Sequence, residues 1–99
     1  MSAAASNPKK FQIPESVLAR TVGTETILLN LKTSTYHSLN RVGGRFWALI
    51  SEGKDFQQAM STLHAEYDVE PAQLEADLHE LCAELESLSL LQPAPSSSL

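Results

Sequence analysis

Thr35–Trp47, TYHSLNRVGGRFW, is the stretch on which the fold turns. Thr35–Leu39 reads as a short strand, since Thr and Tyr suit a pleated, half-buried surface. Asn40 ends it and opens a helix, because its side-chain oxygen can take an orphan N–H of the first turn. Gly43 and Gly44 then fall inside that helix, where each costs roughly 1 kcal/mol relative to Ala. A paired cost of this kind points to backbone passing close to backbone, helix against sheet. On local grounds alone, an ordinary strand–helix joint in a core explains the stretch equally well.

Upstream, Glu25–Leu31 (ETILLNL) is the strongest strand signal, with Ile27, Leu29 and Leu31 alternating onto one face. Val17–Thr21 is a further strand, Val22-Gly23-Thr24 a turn and Lys32-Thr33-Ser34 a second polar turn. Connections this short favour antiparallel neighbours and a three-stranded meander with Thr35–Leu39 at an edge. Downstream, Arg41–Ser51 is the first helix, stopped by Gly53. Phe56–Tyr67 is the second, with Asp55 and Gln58 placed as a capping box and Phe56, Met60, Leu63 and Tyr67 as its apolar stripe. The third opens at Val69-Glu70-Pro71, with Pro71 suited to the first helical position and Val69 in reach of Leu74 as a staple. Its leucines 74, 78, 81, 85 and 88 are spaced to line one face. Strands first and helices after predict an α+β domain: a winged helix-turn-helix with a three-stranded antiparallel sheet followed by three helices.

The chain has 99 residues, enough for one small core. Met1–Lys10 and Gln92–Leu99 are mostly small, polar and Pro-containing, and residues 1–12 and 92–99 are expected to be disordered tails around a domain at 13–91. The single cysteine, Cys82, excludes an internal disulfide and suits a reducing compartment. No stretch approaches the ~18 apolar residues of a membrane span and no signal-peptide core is present, so a cytoplasmic protein without membrane contacts is expected.

The net charge of −5 is unevenly divided. Residues 1–54 hold all seven Lys and Arg against three acids, a balance of +4; residues 55–99 hold nine acids and no base, a balance of −9. A helix-turn-helix that reads DNA needs Lys and Arg on its second helix. Here that helix carries Glu75, Asp77, Glu80, Glu84 and Glu86 instead. The alternative of a winged-helix transcription regulator is therefore disfavoured, and no nucleic-acid partner is expected. His79 and Cys82 stand i, i+3 on the third helix, but two ligands fall short of a zinc set, and Cys82 sits among leucines as a core thiol would. No cofactor, metal or nucleophile signature is present, so no enzyme is expected. A binding surface remains. Thr35–Leu39 has no Pro and no charge beyond His37, so its edge stays open for an extended peptide unless the third helix or a tail covers it.

The run LLNLKTSTYHSLNRVGGRFWALI, followed by FQQAMSTLHAEYDVEPAQLEADLHELCAELESLSLL, resembles the PqqD-like family of RiPP recognition elements over roughly Val17–Leu91. Tyr36, Leu39-Asn40, Gly43, Trp47, Tyr67-Asp68-Val69, Pro71, Asp77 and Leu85 carry the likeness by their order and spacing. The resemblance implies a non-catalytic peptide chaperone. It would bind the leader of a ribosomally synthesised precursor as an added strand, in the groove between the third strand and the third helix. It would present that precursor to a modifying enzyme: a leader peptidase in lasso-peptide synthesis, or a radical SAM protein in pyrroloquinoline quinone synthesis. The compact Leu28–Thr33 segment favours the lasso type. Carried over, the peptide-binding residues are Thr35, Tyr36, His37 and Ser38 from the strand, and Leu74, Asp77, Leu78 and Leu81 from the helix. Which face of the strand meets the peptide is left open, since Tyr36/Ser38 and Thr35/His37/Leu39 point opposite ways.

Overall fold

The computed structural model describes residues 10–93. Strands β2 (Val17–Val22), β3 (Glu25–Asn30) and β4 (Thr35–Leu39) form an antiparallel sheet in the order β2-β3-β4. Helices α1 (Arg41–Ser51), α2 (Phe56–Glu66) and α3 (Pro71–Ser87) follow, giving the expected α+β winged helix-turn-helix. Two short strands, β1 (Phe11–Gln12) and β5 (Gln92–Pro93), pair with each other. Both strands lie within the segments expected to be tails. Phe11 is held by an edge-on contact with the Phe46 ring, whose centroid lies 6.4 Å away, and Leu90 and Leu91 are buried just before β5. Most of residues 1–12 and 92–99 lies outside the described part.

Asn40 caps α1, accepting from the Gly43 N–H at 2.8 Å. Asp55 and Gln58 form the capping box at the start of α2. Pro71 opens α3 at its first turn. The core gathers Leu28 and Leu39 from the sheet, Phe46, Trp47, Leu49 and Ile50 from α1, Phe56 and Leu63 from α2, and Leu74, Leu78, Cys82 and Leu85 from α3. The α1 helix lies on the sheet at Gly44, where an added Cβ would stand 2.6 Å from Thr26 Oγ1 and 3.3 Å from Thr26 Cβ. Gly44→Ala should therefore lose about 1–2 kcal/mol in chemical denaturation despite its better helix propensity. The Gly44→Ala/Thr26→Ala double variant should recover most of that loss; no recovery would mean that the glycine serves something other than this contact.

The Arg45 guanidinium bridges to Glu66 through two bonds of 2.9 Å, tying α1 to α2. Those bonds hold the Glu66 carboxyl below its ordinary range and raise Arg45. The support from Glu66 is thus complete above the ordinary carboxylate range and fades as pH falls through the lowered value. Glu66→Gln should flatten the acid limb of a stability–pH curve and leave the alkaline limb unchanged. No helix among the described residues is long and apolar enough to cross a membrane.

Ile27, Leu29 and Leu31 do share a face, but it is the face turned away from the helices. Leu28 and Asn30 are the buried residues of β3, at 0% and 3% exposure, while Leu31 is 60% exposed. Val22 pairs with Glu25 around the two-residue turn Gly23-Thr24, with Gly23 at φ +65°. The turn is one residue shorter than the sequence suggests. Asn30 is buried because its amide organises the β3–β4 connection. It accepts from Ser16 Oγ at 2.8 Å and the Lys32 N–H at 2.9 Å, and donates to the Ser89 carbonyl at 2.6 Å.

Candidate functional site

The sheet has two edge strands, β2 and β4, and it is β4 that borders a cleft. Which of its main-chain groups are available follows from the ladder. In an antiparallel pair, opposed residues alternate between exchanging both hydrogen bonds and exchanging none. A two-residue hairpin closes on a bonded pair, here Val22–Glu25, and the Leu31 N–H donates to the Ser16 carbonyl at 2.9 Å six residues further along. Residues 25, 27, 29 and 31 thus turn their backbone groups toward β2. Residues 26, 28 and 30 turn theirs toward β4, where they meet Leu39, His37 and Thr35. Tyr36 and Ser38 are left with N–H and C=O directed outward, away from the sheet.

The side chains alternate in the opposite sense. His37 and Leu39 point toward the helices, opposite Leu28 and Thr26. Tyr36, 70% exposed, points away from them, and Ser38 donates to Glu25 Oε1 at 3.2 Å on that same outer face. The strand face that looks into the groove is therefore that of His37 and Leu39.

A cleft of about 410 Å³ runs between β4, the start of α1 and α3. Of the eight residues expected to bind peptide, His37, Ser38, Leu74, Asp77, Leu78 and Leu81 line it. Thr35 and Tyr36 do not. The Thr35 hydroxyl donates to the Leu88 carbonyl at 2.9 Å, closing one end of the cleft, and the Tyr36 ring lies on the far side of the sheet. Glu80 and Glu84 also line the cleft and were missed from sequence. The available signal was their spacing of three and seven residues from Asp77, which sets all three on one helix face. Val42 and Val69 are further lining residues that the sequence reading did not assign to the site.

The strand runs antiparallel to α3. Thr35 is bonded at Leu88, and His37 Nε2 stands 3.9 Å from Glu84 Oε1 nearer the middle of the helix. This orientation gives the cleft two unlike halves. Leu39, Val42, Val69, Leu74 and Leu78 make one half apolar. His37, Glu80, Leu81 and Glu84 line the other, which holds two carboxylates, and Asp77 stands between the halves, its carboxylate accepting from Gln73 Nε2 at 2.9 Å. No Lys or Arg lines the cleft among the described residues. Elsewhere, His79 stacks on Phe56 with centroids 4.5 Å apart and lies 3.6 Å from Glu75. Cys82 is buried. No group of three His, Cys, Asp or Glu side chains gathers as a metal set among the described residues.

A family model described as coenzyme PQQ synthesis protein D (PqqD) matches residues 25–91, from the second strand of the sheet to the end of the domain. The chain belongs to the PqqD family. Among solved structures, this PqqD-family chain is 33% identical to one described as TbiB1 in complex with the TbiA(beta) leader peptide. That likeness covers 86% of this chain and 99% of the other, with a TM-score of 0.77. A second structure, lasso peptide synthetase B1 complexed with the leader peptide, is 20% identical over 85% of this chain and 99% of the other, with a TM-score of 0.75, and attests to the shared fold. No curated protein matches.

Proposed function

We propose that this protein binds the leader segment of a ribosomally synthesised precursor peptide by strand addition to β4 and presents the precursor to a modifying enzyme, doing no chemistry itself. The observation that carries this reading is the pair of outward-facing backbone units at Tyr36 and Ser38, set beside an open cleft. An extended peptide would exchange main-chain bonds with both units, and its alternate side chains would enter the cleft. Main-chain pairing supplies affinity that tolerates sequence change, and the pockets supply selectivity. The 33% identical chain that was solved with a leader peptide supports the choice of ligand.

The enzyme favoured as partner is the leader peptidase of a lasso-peptide pathway. The compact Leu28–Thr33 segment supports it, as the resemblance to stand-alone lasso-type members implies. The second reading, delivery of a quinone precursor to a radical SAM enzyme, is favoured by the matching family's description. Tethering a precursor near either enzyme raises its effective concentration to the order of mM for a short linker. Calorimetric titration of the full chain with a lasso leader and with a quinone precursor separates the two. Micromolar binding of the lasso leader alone is expected, and binding of neither would remove the function proposed.

The Tyr36 side chain should matter less than its backbone. It would form one cross-strand pair with the peptide on the outer face, worth about 0.2–1 kcal/mol. Tyr36→Ala should accordingly weaken leader binding by no more than about fivefold. A loss beyond fiftyfold with an unchanged thermal melt would move the ring into the binding site.

A further inference from the structure

The two halves of the cleft differ in chemistry, and the strand fixes how a ligand would sample them. Side chains two apart on a strand share a face and stand about 6.6–6.8 Å from each other. On a peptide added to β4, the residues opposite Leu39 and His37 would both turn toward α3. The one opposite Leu39 meets the apolar half, against Leu74 and Leu78. The one opposite His37 meets the half bordered by Glu80 and Glu84, with Asp77 adjoining. Among the described residues that border has no Lys or Arg, and its one basic neighbour is the His37 imidazole, 3.9 Å from Glu84.

We propose that the cleft selects a two-point motif, a large apolar side chain and a Lys or Arg separated by one residue, the first seated on Leu74 and Leu78 and the second facing Glu80, Glu84 and Asp77. The inference rests on strand addition to β4 and gives it a sequence preference. The apolar anchor supplies desolvated contact. The cation answers a negative border, so its contribution is to discrimination and encounter rate. It should weaken as salt shortens the screening length. The order of the two residues reports direction: apolar first for a peptide antiparallel to β4, basic first for a parallel one.

The test is selection of random ten-residue peptides displayed on phage against the immobilised full chain, with parallel selection on the Ser38→Pro variant. Peptides recovered on the wild type and lost on Ser38→Pro are the strand-adding class. Enrichment of apolar–x–Lys/Arg, or its reverse, in that class is expected. Changing Lys to Glu in a synthetic winner should weaken binding about tenfold at low salt. An Asp77→Lys/Glu84→Lys protein should reverse that preference. Strand-adding peptides with no basic residue at that spacing, or a preference unmoved by the charge reversal, would overturn the motif and leave strand addition standing. Absence of any class sensitive to Ser38→Pro would overturn both.

Discussion

Ser38→Pro is expected to lower leader affinity roughly hundredfold while the protein stays folded. Proline removes the Ser38 N–H and sets a ring where an added strand would lie. On an edge strand it is tolerated when the missing N–H faced solvent. The ladder gives Ser38 that outward position. The peptide would lose one main-chain bond outright and be pushed off its neighbour, together about 2–3 kcal/mol. His37→Pro is the matched control. Its N–H points inward to β3, opposite Leu28, so proline there should break the sheet and lower the melting temperature before binding can be scored. Circular dichroism with fluorescence titration of both variants reads the contrast. A Ser38→Pro protein that melts normally and binds leader within threefold of wild type would show that β4 is not the docking edge.

The second large effect falls on stability. Asn30→Ala should cost about 3 kcal/mol, because its amide serves groups from three segments: the residues before β2, the Leu31–Ser34 turn and the end of α3. For a domain of this size that is a fall in melting temperature of roughly 10–20 °C. Thr35 makes the neighbouring bond to Leu88, so Asn30 at the end of β3 and Thr35 at the start of β4 together pin the sheet to the residues that follow α3. Thr35→Val, which keeps the shape and removes that bond, should cost about 1 kcal/mol. A melting point for Asn30→Ala within 3 °C of wild type would mean that water replaces the amide without loss.

The elements were legible in the sequence where local chemistry dictates them. Asn40, the Asp55–Gln58 pair and Pro71 mark helix starts that need no tertiary information. The two glycines were legible in kind. Gly44 makes the close approach to the sheet, at Thr26, whereas the space around Gly43 is taken by its own cap residue Asn40 and by Leu39. What the residues left open was parity. Reading Val22-Gly23-Thr24 as the turn adds one residue to a connection that has two, although both readings start β3 at Glu25. The run Ile27-Leu28-Leu29 is apolar on both faces and cannot signal the choice. Asn30 is polar yet buried, so polarity does not mark the solvent side of this strand. For the site, composition marked α3 as acidic and β4 as an open edge. The division of the cleft into unlike halves needed the antiparallel setting of strand and helix, which pairs residues some fifty positions apart.

The clasp of Thr35 on Leu88 also acts as an end-stop. A guest chain lying along β4 can descend between strand and helix only from Asn40 back to that point, a footprint of about five residues or 17 Å. Whatever lies beyond that footprint in a longer guest must emerge into solvent at one mouth or the other. The protein would thus measure out a short segment and leave the remainder slack, within reach of a second protein's catalytic machinery.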